Sequence, residues 1–328
     1  MKKVKFGVLG ISNHFVKRVL FPLKRSETVE IYAVASRSEE KSRNFAAEHG
    51  IQKSYGSYDE LIEDQEVDAI YIPLPNHLHA EYSVKAARQG KHILCEKPLA
   101  MNYEETKMIV DTARNADVLL MEAFMYRFHP QWITARELAV SGELGKIIST
   151  ICHFAYDNKD PKNIRNIKGY GGGALLDIGV YAVSSSRFLM NAEPKRVFCH
   201  IDRDPDSGVD IHTTGILDYE SARSVFVVST RTFADQRIHV FGSSGQLSVE
   251  VPFNMYPDIP GCLCVTTSIG TREIYTEIAD QYKLQFEAFA DAITHNRELP
   301  VSPEDSLANM MIIDSLFESA KKRQWVEL

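Results

Sequence analysis

The first third of the chain alternates short runs of β-branched and apolar residues with segments of helical periodicity, and this alternation does most to narrow the folds open to it. Candidate strands Val4–Leu9, Val29–Ser36, Ala69–Ile72, His92–Cys95 and Val118–Met121 are separated by candidate helices Asn13–Leu23, Glu39–His49, Tyr58–Ile62, His77–Gln89 and Tyr103–Asn115. Strands that take turns with helices build a parallel sheet wrapped on both faces. A doubly wound, Rossmann-type α/β domain is therefore expected over residues 1–122.

From about Lys146 the pattern changes to alternating segments with few helices between them: Ile147–Tyr156, Arg196–Ile201, Ile211–Tyr219, Ser224–Phe233 and Arg237–Phe241. Such segments read as a large, open, mainly antiparallel sheet. One helix, Ala174–Leu189, follows Gly171-Gly172-Gly173, and two more close the chain, marked by the stripes Phe286, Phe289, Ile293 and Met310, Ile313, Phe317. The expectation for residues 123–328 is a second, α+β domain that binds substrate and makes the oligomer. At about 150 residues per domain, a chain of 328 residues agrees with two. There is no low-complexity linker, so the junction near Glu122–Trp132 is expected to be tight.

With 44% hydrophobic residues the chain has enough apolar surface for a proper core, which sets disorder aside. Its 37 basic and 44 acidic side chains leave a charge of −7, and the one basic cluster, Lys321-Lys322-Arg323, reads as a helix end. Nothing here is an electrostatic footprint for nucleic acid or an anionic membrane. The start Met1-Lys2-Lys3 is followed by an apolar run that breaks at Ser12, Asn13 and His14, too early for a secretory signal or a membrane span. The cysteines Cys95, Cys152, Cys199, Cys262 and Cys264 are odd in number and contain no CxxC pair, which suits a reducing cytoplasm.

Strand Val4–Leu9 leads into Gly7-Val8-Leu9-Gly10-Ile11-Ser12-Asn13-His14-Phe15 and then a helix, which is where a dinucleotide fold places its phosphate loop. Glycine there lets backbone amides and the helix N-terminus approach a pyrophosphate. The motif is degraded, because Ser12 stands in the second glycine place and Phe15 in the third. At the end of the second strand an NAD enzyme carries an acid for the ribose hydroxyl, whereas this chain has Ser36-Arg37-Ser38. A hydroxyl beside a guanidinium matches a 2′-phosphate, so NADP is expected in preference to NAD. Two further loops follow strand ends, Pro73-Leu74-Pro75-Asn76-His77-Leu78-His79 and Glu96-Lys97-Pro98. From these segments the cofactor contacts are expected to be Gly7, Gly10, Ser12, Asn13, His14, Ser36, Arg37, Pro73, Leu74, Asn76, His79, Glu96 and Lys97. The HxH spacing of His77 and His79 lacks a carboxylate or cysteine cluster to complete it, so no metal is expected.

In order along the chain, Gly7-Val8-Leu9-Gly10, Ala35-Ser36-Arg37, Pro73-Leu74-Pro75-Asn76-His77, Cys95-Glu96-Lys97-Pro98, Met121-Glu122-Ala123 with Arg127-Phe128, and Gly172 through Tyr181 resemble the glucose–fructose oxidoreductase and inositol dehydrogenase family. The branch most similar contains the dimeric dihydrodiol dehydrogenases and the NADP-linked xylose dehydrogenases. The resemblance covers essentially the whole chain and implies a nicotinamide cofactor, a sugar, polyol or cyclic diol substrate, and a homodimer or higher homo-oligomer. It implies Lys97 as the catalytic lysine, with a cis bond to Pro98, Asp177 near the substrate, and Tyr181 at a position that is histidine in much of the family. Met125 departs from the tryptophan that this branch often carries beside the substrate, so aromatic-diol specificity does not carry over.

Oxidising an alcohol requires a base for the hydroxyl proton, and a phenol becomes competent when a lysine ammonium favours its phenolate. Lys97 and Tyr181 are the expected pair. Two rivals stand beside this reading: an NADPH-dependent reductase of a ketose-type carbonyl, and a regulatory protein that senses NADP without catalysis.

Overall fold

The computed structural model describes residues 3–328; Met1 and Lys2, read above as part of a charged start, lie outside the described residues. The alternating first third folds as six strands: β1 (Val4–Leu9), β2 (Val29–Ala35), β3 (Lys53–Tyr55), β4 (Ala69–Ile72), β5 (His92–Cys95) and β6 (Leu120–Glu122). They lie in the order β3-β2-β1-β4-β5-β6 and every pairing is parallel. Both faces are buried, which is why β4 reads as an unbroken apolar run. The helices Glu39–His49, Tyr58–Glu63, His79–Arg88 and Tyr103–Asn115 occupy the crossovers. Three of them start on a side-chain cap: Ser38 accepts from Lys41 N, Ser57 from Glu60 N and Asn102 from Glu105 N.

The second sheet contains β7 (Ile147–Asp157), β8 (Arg196–Arg203), β9 (Asp210–Asp218), β10 (Arg223–Ser229), β11 (Arg231–Gly242), β12 (Gly245–Val249), β13 (Cys262–Thr267), β14 (Gly270–Tyr275) and β15 (Val326–Glu327). The order is β14-β13-β12-β11-β7-β10-β9-β8-β15, antiparallel throughout except for β10 on β7.

The chain divides into two compact units, residues 1–124 with 282–307, and 125–281 with 308–328. A single cut at 122 therefore misassigns Tyr282–Leu307, which returns to the first unit. The reason is aromatic packing: Phe286 sits 5.0 Å from Phe6 and 4.9 Å from Tyr71, ring to ring, and Phe289 packs on Phe6. Among the described residues no helix is long and apolar enough to cross a membrane.

Two helices begin with a turn of π-helix, Phe15–Leu20 after the glycine loop and Leu175–Gly179 before the helix Val180–Met190. Such turns concentrate at functional sites. The first belongs to the candidate phosphate loop, and the second carries Asp177.

Candidate active site

In the first unit the chain leaves β1 at Leu9 and turns at Gly10, whose φ of +94° is left-handed. A side chain there would be strained and would meet Leu74 Cδ2 at 3.1 Å. Ser12 then caps the turn, its Oγ accepting from Phe15 N at 3.1 Å. Among the described residues the backbone N–H groups of Ile11, Ser12, Asn13 and His14 find no acceptor. Free amides at a helix start are what a pyrophosphate requires, so this segment fits a dinucleotide. Phe15 explains itself differently from the small residue it replaces: it is fully buried against Phe45 and Tyr71.

Gly7 does not belong to this cradle. It lies buried inside β1, where a Cβ would come within 2.3 Å of Leu61 Cδ2, so it lets helix Tyr58–Glu63 close on the strand. At the end of β2, Ser36 Oγ accepts from Ser38 N, and Arg37 is exposed. Arg37 lies in electrostatic reach of Tyr58, and the Tyr58 hydroxyl would lie 3.5 Å from a Cβ at Gly10. Tyr58, which sequence reading did not single out, thus lies beside the Gly10 turn and within electrostatic reach of Arg37. Its phenol is pushed up by burial, with Arg37 opposing.

The loops after β4 and β5 come together. Pro73 and Leu74 are buried and Asn76 is half-buried in the short turn Asn76–Leu78. Glu96 Oε1 accepts from the Tyr71 hydroxyl at 2.7 Å and lies 3.4 Å from His14 Nε2. Burial alone would raise the Glu96 carboxyl, but His14, Tyr71 and Lys97 together hold it below the ordinary carboxylate range. Half-buried Lys97 follows and is joined to Pro98 by a cis peptide bond, as the resemblance implied. Leu99 N donates to buried Glu122 at 3.0 Å. His79 does not fit the role of a cofactor contact, because its ring is completely buried and both nitrogens face backbone carbonyls, of Pro98 and of Leu74.

In the second unit Asp177 and Tyr181 are both buried, four residues apart across the change from π- to α-helix. Tyr181 donates to Met125 Sδ at 3.4 Å and its ring is enclosed by Tyr126, Phe154 and Phe253. Asp177 Oδ2 accepts from Arg165 Nε at 3.0 Å and from the Tyr156 hydroxyl at 2.5 Å. The Asp177 charge beside it raises the Arg165 guanidinium above its ordinary value, and Tyr181 lies in the same field. Burial, then Asp177, keeps the Tyr156 phenol protonated well above its usual range.

The three glycines before this helix have a steric reason. A Cβ on Gly172 would lie 2.5 Å from the Arg165 carbonyl oxygen, and one on Gly173, whose φ is +123°, would strike Asp210 at 2.0 Å. Gly173 N donates to that Arg165 carbonyl, and Asp210 accepts from Leu175 N. The glycines thus let the Arg165 segment and a buried carboxylate close on the helix start. Arg165 and Tyr156 were not singled out in the sequence, since one sits in an irregular turn and the other ends an ordinary strand.

Residues 4–124 match the model of an oxidoreductase family with an NAD-binding Rossmann fold, and residues 132–248 match the model of the GFO/IDH/MocA C-terminal domain. The chain is 38% identical to a D-xylose 1-dehydrogenase (NADP(+)) of Haloferax volcanii over 98% of this chain and 99% of that protein. It is 36% identical to a trans-1,2-dihydrobenzene-1,2-diol dehydrogenase of Xenopus tropicalis over 77% of this chain and 76% of the other. The crystal structure of a 3-ketoreductase from Actinomadura kijaniata, solved with NADP and TDP-benzene, superposes with a TM-score of 0.92 at 28% identity, covering 97% and 98% of the two chains.

Proposed function

Because the chain belongs to the GFO/IDH/MocA oxidoreductase family, we propose that it moves a hydride between NADP and the CH–OH carbon of a sugar, polyol or cyclic diol. The single observation that carries this reading is Lys97: an ammonium at the carboxyl edge of β5, flanked by Glu96 and Pro98, whose polar atoms are both tied down. That edge is where open α/β sheets work on ligands.

The amides of Ile11 to His14 suit the pyrophosphate, Ser36 and Arg37 suit a 2′-phosphate, and Pro73, Leu74, Asn76 and Glu96 line the loops beside it. When bound, the nicotinamide supplies the hydride chemistry itself. The chain supplies the proton transfer. Tyr181 takes the hydroxyl proton in oxidation and returns it in reduction. An unassisted phenol, with a pKa near 10 in model compounds, is a poor base at neutral pH, and a neighbouring cation favours its charged form. Arg165 lies in electrostatic reach of Tyr181, and Lys97 is assigned as its partner on the substrate. Asp177, fixed by Arg165 and Tyr156, orients a second hydroxyl.

Screening sugars, polyols and diols with both cofactors, while following reduced nicotinamide, tests the reading. It predicts turnover of at least one such alcohol with NADP; absence of turnover across all three classes with both cofactors contradicts it. Reduction of a ketose-type carbonyl with NADPH is the second reading, favoured by the similarity to a 3-ketoreductase, and the same residues would serve it in reverse.

The cofactor preference has its own test. Arg37→Ala removes a charge-assisted contact worth about 1.5–3 kcal/mol, so NADP should bind roughly tenfold to over a hundredfold more weakly, with NAD little changed. A wild-type protein that binds NAD more tightly than NADP would overturn the assignment.

We further propose a homodimer built on the open face of the second sheet. Ile151, Val225, Ile216 and Phe198 stand in register across β7, β10, β9 and β8. Ile151 is 47% exposed and the others are only half-buried. An apolar row of this kind in water invites a partner, and a second copy supplies the same row. Light scattering at micromolar concentration should give twice the chain mass, whereas a monomeric mass would dispose of the idea. All five cysteines are free thiols, which supports a cytoplasmic home.

A further inference from the structure

One side chain spans the two loops that leave the carboxyl ends of β4 and β5. His79 lies at the start of helix His79–Arg88 and has no solvent exposure. Its Nδ1 is 2.8 Å from the Pro98 carbonyl oxygen and its Nε2 is 2.8 Å from that of Leu74. Both partners are acceptors with nothing to donate, so the ring must supply the hydrogen atoms. An imidazole donates to at least one of these carbonyls in either protonation state and to both when charged.

The carbonyl that the ring holds through Nδ1 is that of Pro98, the residue immediately after Lys97. Its other neighbours are fixed as well, Glu96 by the Tyr71 hydroxyl and Leu99 N by Glu122. Between these ties the Lys97 backbone has little freedom, and the imidazole sets where the β5 loop lies against the β4 loop. No atom of the ring reaches the surface, so it can touch neither substrate nor cofactor.

We propose that His79 is a positioning residue for Lys97: by bridging the Leu74 and Pro98 carbonyls it fixes the direction in which the lysine ammonium points. The inference rests on the reading of Lys97 as a residue of the proton-transfer pair. It gives the buried ring a consequence for rate, separate from its consequence for stability.

The experiment compares His79→Leu, which fills the space without a donor, with His79→Gln, whose amide keeps N–H groups at similar reach. In folded protein His79→Leu should lower kcat about 100-fold, the scale of a displacement near 1 Å at a reacting group. NADP affinity should stay within about threefold, and His79→Gln should recover most of the rate. Should the Leu variant fail to fold, His79→Asn replaces it, being one methylene too short to bridge; Gln should then exceed Asn by about tenfold or more.

Dimethylating the lysines with ¹³C-formaldehyde gives a second readout. The Lys97 signal, assigned by its loss in Lys97→Arg, should shift in the donor-free variant and return toward its wild-type position in His79→Gln. An unmoved Lys97 signal, or a Gln variant no faster than the donor-free or shortened one, overturns the proposal. A signal that moves while Lys97→Ala itself leaves kcat unchanged supports the brace and contradicts the catalytic reading of the lysine, so the two failures are distinguishable.

Discussion

Tyr181→Phe is expected to lower the rate of hydride transfer by roughly 10²–10⁴, the range for a lost general acid or base, with NADP affinity nearly intact. The substitution removes the one oxygen to which the mechanism gives the proton. It leaves the ring inside the cage of Tyr126, Phe154 and Phe253, so the fold should be indifferent. In the resting protein the hydroxyl donates to a thioether, Met125 Sδ at 3.4 Å, and sulfur is a weak acceptor. Lys97→Ala should show a loss of similar size. In the double variant the losses should not add, because groups that perform one function together can lose it only once. Single-turnover measurements on a substrate from the screen separate this chemistry from binding and release. Additive losses would mean that the two residues act independently, and near-wild-type chemistry in Tyr181→Phe would remove the tyrosine from the mechanism.

The second large effect concerns the scaffold under that tyrosine. Trp132→Ala should destabilise the protein by about 3–5 kcal/mol, the usual range for deleting a buried indole. Trp132 is fully buried; its ring lies 4.6 Å from Tyr126 and 5.9 Å from Phe253, and its Nε1 donates to the Pro252 carbonyl. The variant would leave a cavity and take from the Pro252 carbonyl its shorter hydrogen bond, leaving it Gln131 Nε2 at 3.3 Å. At about 2–4 °C per kcal/mol for a domain of this size, the unfolding midpoint should fall by roughly 6–20 °C. Phe253 bridges Trp132 to Tyr181, at 5.1 Å ring to ring, so the rate in the folded variant should fall as well. A midpoint within a degree or two of wild type would show that the aromatic cluster repacks at little cost.

Legibility in the sequence followed how strongly a feature is written in side-chain pattern. Strands β1, β4 and β5 stand at their expected bounds because buried parallel strands demand consecutive apolar residues. Strand β3 has three half-buried residues and β15 only two in all, too few to show a period, so neither was expected. The parallel pairing of β10 with β7 is a fact of topology that no local pattern carries. The π-helical turns at Phe15–Leu20 and Leu175–Gly179 lie in backbone hydrogen bonding, and their sequences read as ordinary helix.

The site divides in the same way. Gly10, Glu96, Lys97, Asp177 and Tyr181 could be proposed from sequence because glycine turns and tripeptides at strand ends carry position with them. Arg165 came from an irregular segment and reached Asp177 only through the fold. Gly7 and His79, expected at the cofactor, face the core instead, since a residue beside a candidate ligand loop reads the same in sequence whether it faces the loop or the core.

The most direct measurement of the central claim follows the hydrogen itself. A substrate alcohol deuterated at its carbinol carbon is incubated with the wild-type protein and NADP, and the reduced cofactor is weighed by mass spectrometry. Direct hydride transfer predicts one deuterium in each NADPH and a primary isotope effect on the single-turnover rate. NADPH that carries no deuterium, or no NADPH at all, would contradict it.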